Sequence, residues 1–249
     1  MSLAADFLGQ TTTRLERIAA LAQDGGLDPA IALLTDSIAG GGIVHVFGTG
    51  HSEAFAMELA GRAGGLIPTN KIALRDLVLR GDEDRSLLGS SLLERDPQIA
   101  EKLWALVPAS PQDVIVIASN SGVNGSIVGF ALQAKEHGHP VIAVTSLEHT
   151  GAAEPKHPSG KRLSEIADVV IDNLAPYGDS TLEVDGLGAG AVSSLTAAFI
   201  AQLLTLGTIE KLGQQGTEPP VYISANIPGG HERNQKLEAV YGDRLIRGS

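Results

Sequence analysis

The stretch IVHVFGTGHSEAFAMELAGRAGG, residues 43–65, decides the fold. Residues 43–47 favour a strand, and Gly48 and Gly50 allow a tight turn. The alanine-rich segment after Ser52 favours a helix. Glycines let the backbone approach a ligand closely, and the free N–H groups at a helix start attract anions such as phosphate. A turn that serves only local geometry explains the same residues, so this stretch alone leaves both interpretations open.

A second polar junction follows another apolar run, residues 114–118. The segment SNSGVNGS, residues 119–126, places serine and asparagine side chains, which are hydrogen-bond donors, directly before a helical pattern at 127–135. Parallel sheets bind ligands beyond the carboxyl ends of their strands. The two junctions together therefore predict one phosphate-bearing ligand held between them.

The composition excludes several classes of protein. The 249 residues, 43% of them hydrophobic, suit one α/β domain, which we expect to span residues 1–249. The net charge of −11 and the lack of a basic run argue against nucleic acid and anionic membranes as partners. Cysteine is absent, which excludes disulfides and thiolate chemistry. With no basic leader and no apolar run of membrane length, the chain is expected in the cytoplasm.

Hydrophobic periodicity gives the order of the other elements. It predicts helices at 4–23, 29–39, 97–106 and 127–135, strands near 72–74 and at 114–118, 141–145, 169–172 and 221–224, a long apolar helix at 189–212 and a last helix in the tail. Residues 30–212 form the expected core of the domain. We expect the helices within 4–39 and the tail 213–249 to serve packing or oligomerisation, and 146–162 to form a cationic loop.

These features together resemble the sugar isomerase (SIS) domain family. The resemblance is carried by FGTGHS at 47–52, SNSGVNGS at 119–126, AKEHGHPVIAVTS at 134–146 and ADVVIDN at 167–173. Further matches after residue 144 are similar to single-domain bacterial members related to phosphoheptose isomerase. The resemblance implies an α/β fold, a three-layer αβα sandwich with a central five-stranded parallel sheet. It also implies a homodimer or homotetramer with sites near the subunit interface.

The same resemblance implies a phosphorylated sugar as ligand, with no metal and no other cofactor. Family members hold the phosphate with the serine-rich loop and the first glycine turn. The residues at matching positions here are Gly48, Thr49, Gly50, Ser52, Ser119, Asn120, Ser121, Asn124 and Ser126. The family includes aldose–ketose isomerases, phosphosugar etherases and sensor domains of transcription regulators.

An aldose–ketose isomerase needs a general base and often a second group that opens the sugar ring. Glu58 is the predicted base, because phosphoheptose isomerases carry a catalytic glutamate on the corresponding helix, although the spacing differs. An ordinary helix ion pair with Arg62, four residues later, explains Glu58 equally simply. His51 in the turn and His231 in the tail, reaching from a neighbouring subunit, are predicted to assist ring opening; each is also explained as a solvated histidine.

Other interpretations of the site residues remain beside this one. Further acid–base candidates, each also explained as an ordinary surface or helix-end residue, are Glu53, Glu94, Glu148 and His149. A near match to a nucleophile elbow at 50–54 allows a Ser52–Asp185–His231 hydrolase triad, but leaves residues 119–126 unexplained. The sequence therefore predicts a phosphosugar-binding aldose–ketose isomerase. The alternatives are a non-catalytic phosphosugar-binding module, acting as sensor or partner, and a phosphosugar etherase.

Overall fold

The computed structural model describes residues 2–90 and 92–246. Its centre is a parallel sheet whose strands follow the order β2-β1-β3-β4-β5. The strands are β1 (Val44–Gly48), β2 (Thr69–Ile72), β3 (Val114–Ala118), β4 (Val141–Thr145) and β5 (Val169–Asp172). Every residue of β1, β3 and β4 is buried, as expected for parallel strands that are covered on both faces.

Helices cover both faces of this sheet. They are α1 (Leu3–Gln23), α2 (Asp28–Ala39), α3 (Glu53–Leu59), α4 (Asp76–Leu79), α5 (Ile99–Trp104), α6 (Gly125–Glu136), α7 (Leu147–Ala152), α8 (Ser193–Gln214) and α9 (Gly230–Glu238). Alternate residues of β3 point to opposite sides: Val116 packs in one core with α1, α2, α3 and α8, and Ile117 packs in the other with α5 and α6. The predicted αβα sandwich is confirmed.

One predicted element is wrong at its start. The long apolar helix begins at Ser193 and not at 189, because residues 180–191 form an antiparallel hairpin of β6 (Ser180–Val184) and β7 (Leu187–Ala191). Its turn is Asp185-Gly186, and both residues have positive φ, 52° and 76°. Asp-Gly between two short strands is a strong hairpin signal that the apolar composition of the following segment concealed.

Two further predictions need correction. The segment 146–162 is not a continuous loop, because Ser146 accepts a hydrogen bond from the backbone of His149 and starts α7. The strand predicted at 221–224 is reduced to an isolated bridge between Val221 and Leu66. There the tail lies along residues 64–67, which is too short a contact to form a ladder.

Helix α8 is, by length and composition alone, long and apolar enough to cross a membrane, with a mean hydropathy of 1.3 in its most apolar window. Among the described residues it is the one such helix, which corrects the expectation that the chain contains no apolar run of membrane length. Ile200 and Leu204 on α8 are fully buried in the core that it shares with α1, α2 and α3. Burial in that core explains its apolar composition.

The C-terminal segment returns to the amino end of the sheet, opposite the polar junctions. There Asp113 accepts hydrogen bonds from the Nε2 of His45, at 3.0 Å, and from the Nη2 of Arg244, at 2.5 Å. Burial lowers the pKa of His45 and outweighs its hydrogen bond with Asp113. Burial alone would raise the pKa of Asp113, but the hydrogen bonds from His45, Arg244 and the Ile43 N–H hold it below its usual range.

Candidate functional site

The two polar junctions meet in one cleft at the carboxyl ends of the strands. We call it the serine cleft; the open space in it, with the solvent at its mouth included, is about 270 Å³. Its polar lining consists of His51, Ser52, Ser119, Asn120, Asn173, Ser193 and Ser194. It lies where the strand order reverses between β1 and β3, the place where open parallel sheets bind ligands.

The first junction needs its glycines for geometry. A Cβ atom on Gly48 would lie 2.4 Å from the carbonyl oxygen of Ser52, and Gly50 has a φ of +55°. Ser52 precedes α3, yet its side chain makes no capping hydrogen bond, so its hydroxyl is available to a ligand. Gly48, Thr49 and Gly50 do not line the serine cleft. They line a neighbouring cleft of about 650 Å³ on the other side of the turn.

This neighbouring cleft, the glutamate cleft, is lined by Thr49, Gly50, Glu53, Arg75, Ser90 and Glu94 together with apolar residues and Gly48. Glu53 binds both Nη atoms of Arg75 and lies 3.7 Å from the Nζ of Lys71. Glu94 is half-buried and contacts the second junction. The Gly48–Ser52 turn thus separates two clefts instead of facing a single one.

In the second junction, Ser119 and Asn120 face the serine cleft. The Oγ of Ser119 accepts a 3.2 Å hydrogen bond from the backbone N–H of Gly122. The amide of Asn120 is held at both ends: its Nδ2 lies 3.3 Å from the Nδ1 of His149, and its Oδ1 accepts from the Nδ2 of Asn173 at 3.1 Å. These contacts fix the orientation of the Asn120 side chain before any ligand binds.

The remaining predicted phosphate ligands do not line the serine cleft. The carbonyl of Ser121 accepts from the hydroxyl of Thr150 at 2.8 Å. Asn124 donates from Nδ2 to the Oε1 of Glu94 at 3.0 Å. Ser126 is fully buried and donates to the carbonyl oxygen of Glu94 at 2.7 Å. Asn124 and Ser126 therefore hold Glu94 in the arrangement that the structure describes.

The three predicted catalytic residues lie in different places. His51 is exposed and lines the serine cleft. Glu58 lines none of the clefts, because it pairs with Arg62 and accepts from the Nε2 of Gln202 on α8 at 2.5 Å. His231 lines a third, open cleft of about 1000 Å³ that it shares with Arg62 and the tail. A single chain therefore does not bring these residues together, and their catalytic roles stay predictions.

The hydrolase triad is not assembled in this chain. Asp185 occupies the turn of the β6–β7 hairpin, and neither Asp185 nor His231 lines the cleft of Ser52. Within residues 2–90 and 92–246, no group of three or more His, Asp or Glu side chains is placed to hold a metal ion. The polar groups of the serine cleft are chiefly neutral hydroxyls and amides, which suit an oxyanion.

One wall of the serine cleft is formed by residues after β5 that the sequence did not indicate. Asn173 comes directly after β5, and Ser193 is the first residue of α8, shortly after the β6–β7 hairpin. Asp179 fixes this wall: its carboxylate accepts from the backbone N–H groups of Val192 and Ser193 and from the Ser193 hydroxyl at 2.6 Å. Leu174 and Asp179 have positive φ, 59° and 61°, and such strain clusters at functional sites.

Comparison with known proteins agrees with this architecture. The family model of the SIS domain, SIS_2, matches residues 6–146. UPF0309 protein BH3325 from Halalkalibacterium halodurans is 38% identical over 207 residues, which cover 82% of this chain and 84% of the relative. UPF0309 protein lmo0025 from Listeria monocytogenes is 38% identical over 226 residues, 90% of this chain and 91% of the relative.

Solved structures resemble the chain in fold. A phosphoheptose isomerase from Francisella tularensis gives a TM-score of 0.51 at 19% identity and covers 84% of this chain and 100% of its own. Escherichia coli CFT073 c3406, solved in complex with A5P, gives a TM-score of 0.51 at 18% identity and covers 85% of this chain and 90% of its own. Together with the family model and the relatives, they show that this chain belongs to the SIS domain family.

Proposed function

We propose that this chain binds a phosphorylated sugar, with the phosphate in the serine cleft. The observation that carries the proposal is the meeting of Ser52 from one junction with Ser119 and Asn120 from the other. Among the described residues, the hydroxyls of Ser52 and Ser194 make no hydrogen bond within the chain, so they remain for a ligand.

The serine cleft offers neutral donors to a phosphate. With a net charge of −11, the protein attracts no anion at long range, so binding depends on local N–H groups and hydroxyls. Free backbone N–H groups at the amino end of α6 and in the short turn before α3 belong to the two junctions. Among the described residues, His51 is the one ionisable side chain that lines the serine cleft.

Aldose–ketose isomerisation is the activity that we propose for this site. It is supported by family membership and by the names of the fold neighbours, one a phosphoheptose isomerase and one bound to A5P. One observation favours a non-catalytic binder instead: Glu58, the predicted base, pairs with Arg62 and accepts a hydrogen bond from Gln202 outside the serine cleft. The tests therefore separate binding from isomerisation, and the phosphosugar etherase is a further outcome of the tests.

A second copy of the chain is the proposed partner. Exposed apolar side chains lie on α3 and α8, where Met57 is 58% and Leu206 59% exposed. Burying them against the same face of another protomer would remove apolar surface from water. A phosphorylated sugar does not cross a membrane unaided, so the proposal also places the protein in the cytoplasm.

A thermal-shift screen tests the binding proposal. The probes are D-arabinose 5-phosphate, D-fructose 6-phosphate, D-sedoheptulose 7-phosphate and N-acetylmuramic acid 6-phosphate. A ligand at a hundred times its Kd adds about 2.7 kcal/mol to the free energy of unfolding, which raises the Tm of a chain this size by about 5–10 °C. The shift should disappear in Ser52→Ala/Ser119→Ala and persist in Ser110→Ala, which changes a serine at the opposite end of β3.

Each outcome of the screen has a consequence. A shift with one phosphosugar, absent with the unphosphorylated sugar, supports the proposal and names the substrate for an isomerase assay. Release of lactate from N-acetylmuramic acid 6-phosphate identifies an etherase. If a folded sample responds to none of the probes, phosphosugar binding is wrong.

A further inference from the structure

The carboxylate of Glu94 borders the same glycine turn as the serine cleft. Glu94 lies in a short 3-10 turn, Leu93–Arg95, and lines the glutamate cleft with Thr49 and Gly50. Consecutive Cα atoms are about 3.8 Å apart, so Gly50 lies within about 7.6 Å of Ser52 in the serine cleft. A phosphosugar whose phosphate contacts Ser52 is long enough to cross the turn and reach the glutamate cleft.

The second junction holds Glu94 rigidly. The fully buried hydroxyl of Ser126 donates to its carbonyl oxygen at 2.7 Å, and Asn124 donates to its Oε1 at 3.0 Å. The backbone of Gly125 packs so closely on this segment that an added Cβ would lie 2.2 Å from the carbonyl oxygen of Arg95. These three consecutive residues thus fix the main chain and one carboxylate oxygen of Glu94.

The other carboxylate oxygen of Glu94 is free and faces the turn. Its Oε2 lies 3.8 Å from the position that a Cβ atom on Gly50 would occupy. Among the described residues Glu94 forms no ion pair, whereas Glu53 in the same cleft binds Arg75 and has Lys71 at 3.7 Å. The cations thus occupy the carboxylate of Glu53, whereas Glu94 keeps an oxygen that is open to a ligand.

The other carboxylates near the junctions either have both oxygens engaged or lie outside the two clefts. Both oxygens of Asp179 accept hydrogen bonds at the start of α8. Glu58 pairs with Arg62 and with Gln202, and it lines neither of the two clefts beside the turn. Of the described carboxylates that line either cleft, Glu94 is the one with a free oxygen and no cationic partner.

We propose that Glu94 is the general base of the isomerisation, an inference that rests on the function proposed above. Its Oε2 removes the proton from the carbon beside the sugar carbonyl, and the electron pair of that C–H bond forms the C1=C2 bond of an enediol. The π pair of the carbonyl moves to its oxygen, which takes a proton from water. Glu94 then returns its proton to the former carbonyl carbon, while the hydroxyl on the other carbon releases its proton to water and becomes the new carbonyl. Asn124 and Ser126 are positioning residues for Glu94 and not ligands of the phosphate.

Exchange of substrate hydrogen with solvent tests this proposal. Wild type, Glu94→Gln and Glu58→Gln are incubated in D₂O with D-arabinose 5-phosphate, D-fructose 6-phosphate or D-sedoheptulose 7-phosphate, and carbon-bound deuterium is measured by NMR. Because glutamine keeps the acceptor for Asn124, Glu94→Gln should bind the sugar with a Kd within about threefold of wild type. Its exchange should be slower by about 100-fold or more, the usual contribution of a general base. Glu101→Gln, an exposed change on α5, is the matched control and should exchange like wild type.

The possible results separate this inference from the function on which it rests. Exchange that survives in Glu94→Gln and is lost in Glu58→Gln assigns the base to Glu58 and overturns the proposal. Wild type that binds a phosphosugar but exchanges no hydrogen also overturns it, while phosphosugar binding stands. If wild type binds none of these three sugars, the inference fails, and the proposed phosphosugar binding fails with it unless N-acetylmuramic acid 6-phosphate binds. A loss of binding equal to the loss of exchange in Glu94→Gln makes Glu94 a binding residue and refutes its role as base.

Discussion

The guanidinium of Arg244 donates a 2.5 Å hydrogen bond to the carboxylate of Asp113, a residue 131 positions earlier in the chain. Asp113 is fully buried, and it also accepts from the ring of His45 and from the backbone N–H of Ile43. This contact ties the C-terminal segment to the end of the sheet that lies opposite the serine cleft. The tail therefore supplies the cation that pairs with this buried carboxylate.

Arg244→Ala should destabilise the protein strongly. It leaves the buried carboxylate of Asp113 without its charged partner, and breaking such a pair costs about 2–4 kcal/mol in the free energy of unfolding. Urea denaturation measures the loss. Lys102→Ala is the matched control: it breaks an exposed ion pair with Glu83 and should cost less than about 1 kcal/mol. Equal losses in the two variants would show that the Asp113 contact contributes no more than a surface pair.

Acidification below about pH 6.5 should lower the free energy of unfolding. Burial lowers the pKa of His45 in the folded protein, so between that value and 6.5 the unfolded chain binds more protons than the native one. One such histidine contributes up to about 1.4 kcal/mol per pH unit. Burial also lowers the pKa of His157, so this histidine likewise makes the free energy of unfolding fall as the pH falls.

His45→Gln isolates the contribution of His45 to this pH dependence. When the free energy of unfolding is measured at pH 7.5, 6.5 and 5.5, it should fall less with falling pH than in wild type, because glutamine does not titrate. His137→Gln changes an exposed histidine at the end of α6 and serves as the control. Its free energy of unfolding should depend on pH as that of wild type does. Parallel profiles for wild type and His45→Gln would refute the prediction.

Gly48→Ala should damage both the turn and ligand binding. The added Cβ would meet the backbone carbonyl of Ser52 at 2.4 Å, so the turn must shift, at a cost of about 1–3 kcal/mol. The shift moves the Ser52 hydroxyl, and the phosphosugar-induced rise in Tm should be lost as well. Gly9→Ala is the control, because its Cβ would contact nothing within 4 Å in a helix that favours alanine. A wild-type ligand response in Gly48→Ala would show that the turn does not position the ligand.

Leu206→Asp should dissociate the proposed oligomer. This side chain is 59% exposed on α8, so a charge there costs little in an isolated chain but is costly when buried in an interface. Light scattering coupled to size exclusion gives the mass of each form. Leu79→Asp, at a 68% exposed position on α4, is the matched change elsewhere on the surface. A monomeric wild type, or an oligomer that persists in Leu206→Asp, would contradict this choice of interface.

Local sequence alone determined the layers of the fold. Strands β3, β4 and β5 have the bounds that the sequence predicts, and Gly48 at the end of β1 and Gly50 after it mark the turn that divides the two clefts. These features are specified by residues that are adjacent in the chain, because a strand that is buried on both faces requires a continuous apolar run. Family membership followed from the same local motifs.

Only the tertiary structure decided which polar residues share a surface. Gln202, 144 positions from Glu58, engages the glutamate that the family resemblance implies as base. Ser126, in the predicted phosphate loop, is turned inward to the backbone of Glu94, whereas Asn173 joins the cleft from the end of β5. Such partners are distant in sequence and meet only through the packing of helices on the sheet, so no local pattern of spacing specifies them.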